Sequence, residues 1–182
     1  MAEQYDALES AHIDFIREQH LFFVATAAAN GYINLSPKGM DSLRVIDPGT
    51  VVWLNLTGSG NESAAHIREN NRMTLMFCSF DQKPLILRLY GSATACHPRD
   101  DDWDRLIRLF PEQPGARQIF TLQVAMVQTS CGYAVPRYEF TEERTMLANW
   151  AAARGEAGIH EYWEEKNTRS LDGKDTGIFE DH

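Results

Sequence analysis

The chain has 182 residues, 43% of them hydrophobic, which is enough for one domain with a substantial core. Seventeen basic residues against twenty-six acidic ones give a formal net charge of −9. This charge argues against generic binding to nucleic acids or to anionic membranes, and any anionic ligand therefore needs locally gathered lysines and arginines.

Other features of the sequence narrow the class of protein further. No apolar run approaches the roughly 18 residues that a bilayer-spanning helix requires. The stretch 1–10 is polar and acidic, unlike a signal peptide. The three cysteines, Cys78, Cys96 and Cys131, fit neither a disulfide framework nor a metal-binding knuckle. We therefore expect a cytoplasmic protein with no metal site, no nucleic-acid partner and no membrane partner.

The first elements along the chain are a helix and a hairpin. Helical spacing of apolar residues predicts an amphipathic helix over 5–19. The apolar run 21–27 predicts a strand, and the Asn-Gly dipeptide at 30–31 predicts a turn that returns the chain antiparallel over 32–36. Pro37 cannot donate to a strand ladder, so a bulge or a sheet edge is expected there.

The remaining elements alternate strands and helices unevenly. An Asp-Pro-Gly turn leads into a β-branched strand over 51–56, and the S-x-x-E pattern from Ser59 to Glu62 predicts a capping box for a helix that ends near Asn70. Further strands are predicted over 72–80, 85–96 and 119–129, and further helices over 100–110, 141–154 and 159–166. The polar tail 167–182 is predicted to be a loop or a flexible end.

These elements define a fold class. They give six or seven strands that are joined mostly by short turns, with helices at the periphery. Such connections favour a small antiparallel barrel over a doubly wound sheet, and the G-x-G-x-x-G motif of dinucleotide-binding folds is missing. The expected class is mostly β with peripheral helices (α+β).

A glycine-rich turn marks the candidate ligand site. The turn 58–61 follows a strand and opens a helix, so free backbone N–H groups and the helix dipole favour an anion there. Lys38 and Arg44 are predicted on the strand that comes before the strand 51–56, and they are candidate ligands together with Ser59 and Asn61 from the turn. Each of these residues also has an interpretation without a ligand. Lys38 and Arg44 could be solvated charges on a surface strand, and Ser59 could serve only as a helix cap.

Several runs of this sequence resemble the pyridoxamine 5′-phosphate oxidase-like family of FMN-binding split barrels. They are S-P-K-G at 36–39, V-V-W-L-N-L at 51–56, G-S-G-N-E at 58–62, A-A-H-I-R-E-N-N-R at 64–72 and R-L-Y-G at 88–91. The resemblance covers about residues 21–132 and depends on the order and spacing of the runs. It implies a six- to seven-stranded antiparallel split β-barrel over 1–140, with 141–182 as a C-terminal helical extension and tail of the same domain.

The resemblance also implies a cofactor and an assembly. The family pattern is a homodimer with FMN in a cleft between the two barrels. Carried onto matching positions, it implies cofactor-binding roles for Lys38, Arg44, Ser59, Asn61 and Arg88. Arg137, which follows Pro136, is a further candidate because it could reach the edge of the flavin. No position stands out as a catalytic acid or base.

This chain also departs from the vitamin oxidases of the family. Those enzymes carry an Arg-Lys pair after the serine of the turn, where Gly60 and Asn61 stand here, and they end in an R-L-x-P motif that this chain lacks. The departures put the recognition of pyridoxine phosphate in doubt. The expected function is an FMN-dependent oxidoreductase acting on a small substrate. The alternatives are a non-catalytic flavin- or haem-binding protein, a deazaflavin in place of FMN, or a true pyridoxamine 5′-phosphate oxidase.

Overall fold

The computed structural model describes residues 2–180 and contains eight strands and four helices in that range. In chain order they are β1 (Glu3–Tyr5), α1 (Ser10–Glu18), β2 (Phe22–Thr26), β3 (Asn34–Lys38), β4 (Leu43–Asp47), β5 (Thr50–Leu56), α2 (Glu62–Glu69), β6 (Arg72–Cys78), β7 (Ile86–Cys96), α3 (Trp103–Ile107), β8 (Ala116–Ser130) and α4 (Met146–Lys166). No helix within the described range is both long and apolar enough to cross a lipid bilayer.

The strands form one antiparallel sheet in the order β3-β2-β6-β7-β8-β5-β4, with β1 paired to β8. The long strand β8 organises this sheet, because it pairs with β7 on one side and with both β5 and β1 on the other. Over residues 2–180 no ladder joins β3 to β4, so the sheet stays open between these two edges. The predicted class, mostly β with peripheral helices in an antiparallel split barrel, is confirmed, with eight strands rather than six or seven.

The additional strand lies where a helix was predicted. Tyr5 pairs with Val127 in an antiparallel ladder, and α1 begins only at Ser10. The helix starts there because the backbone N–H of Glu9 donates to His12 Nδ1 over 3.1 Å, which closes the first turn. The apolar residues of this stretch do pack in or against the core, but the first of them, Tyr5, belongs to a strand.

The core explains why β5 reads as an unbroken apolar run. On one face of β5, Trp53 stacks on Phe120 at 4.5 Å between ring centroids in the main core cluster. On the other face, Val52 and Leu54 pack with Leu106 of α3 in a second cluster. A strand buried on both faces shows no alternation of apolar and polar residues.

The glycine of the R-L-Y-G run is required by a close approach between strands. The register of β7 on β8 shifts between Tyr90 and Gly91. A Cβ atom at Gly91 would lie 1.9 Å from the carbonyl oxygen of Gln123, which no side chain can satisfy without moving β8.

The predicted capping box of α2 is wrong. The helix begins at Glu62 with Asn61 at the N-cap position, and Ser59 lies before the helix. The Glu62 carboxylate instead accepts from the backbone N–H of Leu171 at 3.0 and 3.1 Å. This contact with the C-terminal tail leaves the first turn of α2 without a side-chain cap.

The C-terminal helices and the tail differ in detail from the sequence prediction. α4 breaks at Gly155 (φ 66°), which divides it much as the two predicted helices were divided. The predicted helix over 100–110 shortens to α3. The described part of the tail is a loop, as expected, but it is packed, because Asn167, Thr176 and Ile178 are buried. Residues 181–182 lie outside the described residues.

Candidate anion and cofactor site

A polar cavity of about 620 Å³ lies where β3, β5 and β8 meet the N-terminus of α2 and the C-terminal tail. We call it the polar cavity. The side chains that matter most for its chemistry are Lys38, Asn55, Ser59, Asn61, Arg117 and Arg169. Each side of the cavity is therefore supplied by a different element of the fold.

Lys38 is the last residue of β3 and is half-buried. Its Nζ donates to Asn55 Oδ1 over 3.3 Å and lies 5.4 Å from the centroid of the Trp53 ring. Burial lowers the pKa of Lys38 to about 8, and repulsion from Arg117 acts in the same direction. The charged form of Lys38 is therefore poorly stabilised by the protein alone.

Arg117 lies on β8 and is only 2% exposed. Its Nη1 donates to Asn167 Oδ1 over 2.6 Å, but its Nε is buried without a hydrogen-bond partner among the described residues. Burial lowers the pKa of Arg117 to about 9. Neither Arg117 nor Lys38 forms an ion pair within residues 2–180. Two cations thus face one cavity without a carboxylate partner, which is an arrangement that an anion would relieve.

The turn before α2 is held in place by the tail. Asn167 is fully buried, and its Nδ2 donates to the carbonyl of Gly58 over 3.0 Å. In return, Asn61 Nδ2 donates to the carbonyl of Asn167 over 3.3 Å. Asn61 Oδ1 is left buried without a partner among the described residues. The cavity therefore offers unused donor and acceptor groups as well as charge.

One acidic residue also lines the polar cavity. The Glu62 carboxylate, in the first turn of α2, is engaged by the backbone N–H of Leu171. The negative charge of Glu62 is therefore held by a hydrogen bond to the tail, and the turn 58–61 lines the cavity. The helix dipole of α2 adds a favourable field for an anion at the same end.

The structure brings together three of the predicted site residues and separates the other three. Lys38, Ser59 and Asn61 line the polar cavity. Arg44 does not line it, because its guanidinium binds the Asp41 carboxylate at 2.6 Å and the Leu109 carbonyl at 2.9 Å. Arg88 donates to Ser130 Oγ over 3.1 Å, and Arg137 is exposed in the segment between β8 and α4. Contact of Arg88 and Arg137 with a cofactor stays a prediction, whereas the engaged guanidinium of Arg44 argues against the phosphate contact that its place in the sequence suggested.

Two residues of this site were not predicted from the sequence, namely Arg117 and its hydrogen-bond partner Asn167. Arg117 falls just before the strand predicted from 119, whereas β8 already begins at Ala116. Asn167 is the first residue of the polar tail that was predicted to be a loop or a flexible end, and nothing in its spacing indicates a buried role.

A second, more apolar cavity of about 730 Å³ adjoins the polar one. Its apolar lining comes from Leu21, Met40, Phe80, Tyr138, Phe140 and Met146. One edge is closed by His20, which stacks on Phe140 at 3.7 Å between ring centroids. Lys38 lines both cavities, so a charged region and an apolar region meet at this residue.

Comparison with known proteins establishes the family to which this chain belongs. The family model for pyridoxamine 5′-phosphate oxidase matches residues 8–131, and the chain belongs to this family. The predicted family is thereby confirmed.

Individual relatives support the same conclusion. The chain is 36% identical over 189 residues to the pyridoxamine 5′-phosphate oxidase family protein ustO of Aspergillus flavus, covering 93% of this chain and 75% of that protein. A putative pyridoxamine 5′-phosphate oxidase from Lactobacillus delbrueckii is similar in structure, with a TM-score of 0.55 and 23% identity over 68% of this chain and 94% of the other. HupZ of Group A Streptococcus gives a TM-score of 0.52 and 21% identity over 64% and 89%. The two structural likenesses show a shared fold.

Proposed function

We propose that this protein is an FMN-dependent oxidoreductase that acts on a small substrate, and that the polar cavity binds the phosphate of FMN. The observation that carries the proposal is the half-buried Lys38 and the buried Arg117, which face one cavity without an ion-pair partner in residues 2–180. A phosphate would restore the favourable charged state of both.

The residues present fit FMN at both ends of the molecule. Arg117 Nε is an unused donor suited to a phosphate oxygen, and Asn61 Oδ1 is an unused acceptor suited to a hydroxyl of the ribityl chain. The apolar cavity that meets the polar one at Lys38 suits a flat aromatic ring. A ligand with a phosphate, a polyol and an aromatic ring would place the first two groups in the polar cavity and the ring in the apolar cavity.

The protein contributes binding and orientation. When bound, FMN supplies the redox chemistry by accepting a hydride and passing on its electrons. Lys38 and Arg117 hold negative charge, Asn55 orients Lys38, and Asn167 orients Arg117. The tail residues Ser170 and Leu171 line one side of the polar cavity. We assign no general acid or base, because hydride transfer does not require one.

We also propose a homodimer with the flavin cleft between chains. Its support is the family and the open edge of the sheet, where Ile33 and Leu35 beside and on β3 are 77% and 63% exposed. Two aromatic residues in the segment after β8 are also exposed, Tyr133 to 82% and Tyr138 to 65%. Burial of these surfaces against a second copy would also allow Arg88 or Arg137 to reach a partner's cofactor.

Light scattering tests the assembly. We expect twice the mass of one chain at micromolar concentration, and substitution of Leu35 by Lys should shift the equilibrium toward monomer. A monomer that still holds FMN under these conditions would contradict the shared cleft.

A cytoplasmic location is part of the proposal. Cys78, Cys96 and Cys131 are all free thiols, as is usual in a reducing compartment. Fractionation of the producing cells would test this location.

The absorption spectrum of the purified protein tests the function. We expect a flavin spectrum that bleaches with NADH, NADPH or an artificial donor and recovers when an acceptor is added. A Soret band would instead indicate haem. A bound flavin that no donor except dithionite reduces would favour the non-catalytic alternative.

A further inference from the structure

A chain of hydrogen bonds runs from Lys38 into the interior of the protein. Lys38 Nζ lies 3.3 Å from Asn55 Oδ1, and Asn55 Nδ2 lies 3.1 Å from Gln118 Oε1. Gln118 Nε2 in turn lies 3.3 Å from His97 Nε2. Asn55, Gln118 and His97 are all buried, so water does not substitute freely for any of these contacts.

The donors and acceptors of this chain have a fixed direction. An ammonium group has three donors and no acceptor, so Asn55 must turn its oxygen toward Lys38. Its NH₂ group then faces Gln118, which must offer its oxygen, and the NH₂ group of Gln118 faces His97. His97 Nε2 must therefore accept, and the ring is neutral with its proton on Nδ1.

The surroundings of His97 favour this tautomer. Its Nδ1 lies 3.5 Å from Asp100 Oδ2, and a carboxylate is an acceptor for a ring N–H. The same carboxylate oxygen accepts from the backbone N–H of His97 over 2.7 Å, which fixes the two residues together. A proton on Nε2 would instead oppose the NH₂ group of Gln118. Relief of that contact would turn both amides over and point the NH₂ group of Asn55 at Lys38.

We propose that His97 is a positioning residue for Lys38, because its acceptance of a hydrogen bond from Gln118 holds Asn55 with its oxygen toward the ammonium. The functional consequence, tighter binding of a phosphate by a well-placed Lys38, rests on the proposed function. The effect on Lys38 itself does not, because it exists in the protein without any ligand. Burial already disfavours the charged form of Lys38, so loss of its acceptor should disfavour that form further.

Three variants separate positioning from packing. His97→Leu removes the acceptor, whereas His97→Gln keeps an acceptor oxygen on a flexible side chain. His12→Leu is the matched control, because His12 is also buried but lies outside this hydrogen-bond chain, where it accepts from the N–H of Glu9 and contacts the Tyr5 ring. All three variants keep Arg117, the charged residue that acts on Lys38 through space. Each is made in the full chain and checked for cooperative thermal unfolding.

The first readout needs no ligand. In the flavin-free protein we expect the NMR titration midpoint of Lys38 to fall by about half a pH unit in His97→Leu and to stay near the parent value in His97→Gln and His12→Leu. In the parent, long-range proton–nitrogen correlation should show His97 Nε2 unprotonated. The second readout is binding: we expect His97→Leu to weaken FMN about fivefold and riboflavin less than about twofold, with His97→Gln close to the parent.

Defined results overturn the inference. A proton on His97 Nε2 in the parent would reverse the direction of the chain, and this measurement still decides if His97→Leu does not fold. Equal effects of His97→Leu and His97→Gln on Lys38, or no effect of either, would reduce His97 to a packing role. If the parent binds no FMN, the proposed function fails, while the Lys38 titration still decides the role of His97.

Discussion

Lys38 occupies a position in which its charge is unfavourable to the fold and useful to a ligand for the same physical reason. Burial and the neighbouring Arg117 both oppose the charged form. An unliganded protein bears this cost, and an anion in the polar cavity would remove it. Binding sites often store unfavourable free energy of this kind, so that stability and function oppose each other at the same residue.

This opposition predicts that Lys38→Met stabilises the flavin-free protein. Removing the charge relieves its desolvation, although Asn55 Oδ1 loses a partner, so we expect a net gain of about 1–2 kcal/mol in the free energy of unfolding at pH 7. The folded pKa of about 8 lies below the ordinary value of 10.5, so the penalty is fully present below pH 8 and disappears as the pH rises toward 10.5.

Urea unfolding at pH 7 and at pH 10 measures this effect. The advantage of Lys38→Met should shrink at the higher pH, and the same change at the exposed Lys83 should alter stability little at either pH. A Lys38→Met variant that is less stable than the parent at pH 7 would show that the charge is well compensated without a ligand.

At the residue scale, the sequence predicted the cavity only in part. Lys38, Ser59 and Asn61 could be chosen because a strand, a glycine-rich turn and a helix N-terminus are contiguous in sequence. Arg117 and Asn167 could not, because they meet the turn only through tertiary packing across more than fifty positions of the chain. Arg44 was grouped with Lys38 by sequence proximity, but a turn between β3 and β4 carries it to other partners.

At the scale of elements, the C-terminal tail functions as a structural part of the polar cavity. Lys174 pairs with Glu69 at 2.5 Å and Arg68 pairs with Glu180 at 2.7 Å, so two ion pairs fasten the tail to α2. Arg99 adds hydrogen bonds to the carbonyls of Gly177 and Ile178. The polar composition of the tail predicts a flexible end. Composition cannot reveal these contacts, because the charged residues that make them are equally common in a tail exposed to solvent.

Asn167→Ala should be strongly destabilising. It removes the acceptor of a buried arginine and the donor to the carbonyl of Gly58, so we expect a loss of about 2–4 kcal/mol in the free energy of unfolding. Chemical denaturation measures it, and Asn149→Ala, at an exposed position of α4, provides the control. A loss similar to that of the control would mean that the tail is not coupled to the cavity.

The element boundaries show a further limit of sequence reasoning. The apolar periodicity and turn residues placed β2, β5, β6 and β7 to within a few residues, because these strands are defined by their own composition. β1 was missed because a three-residue strand exists only through its partner β8. The predicted cap of α2 is wrong because the Glu62 carboxylate accepts from the backbone N–H of Leu171 in the tail instead of pairing with Ser59.

At the scale of the whole molecule, membership of the family does not by itself imply that this protein oxidises pyridoxamine 5′-phosphate. The vitamin oxidases' Arg-Lys pair and terminal R-L-x-P motif are missing from this sequence. In the structure, the position after Ser59 is Gly60, and Lys38 and Arg117 supply charge to the polar cavity instead. Cofactor binding and substrate binding therefore have to be tested separately.

We predict little or no oxidation of pyridoxine phosphate or pyridoxamine phosphate by the FMN-saturated protein. In the vitamin oxidases the terminal R-L-x-P motif helps close the site over the phosphorylated vitamin, so its absence here removes charge-assisted contacts to that substrate. Loss of two such contacts, at about 1.5–3 kcal/mol each, would weaken transition-state binding by several powers of ten. The assay follows the formation of pyridoxal phosphate beside an Arg137→Ala variant, because Arg137 is an exposed arginine in the C-terminal third of the chain. Robust turnover by the parent would reject the prediction, and its loss in the variant would identify Arg137 as the substitute.

The most direct test of the central claim compares the affinities of FMN and riboflavin, which differ only by the phosphate. We expect the parent to prefer FMN, and we expect Lys38→Met and Arg117→Met each to reduce that preference by about 1–3 kcal/mol while riboflavin affinity changes little. Arg44→Met should retain the preference, because its guanidinium is engaged with Asp41 and Leu109. Equal binding of FMN and riboflavin by the parent, or a preference lost in Arg44→Met but kept in Lys38→Met, would contradict the assignment of the polar cavity as the phosphate site.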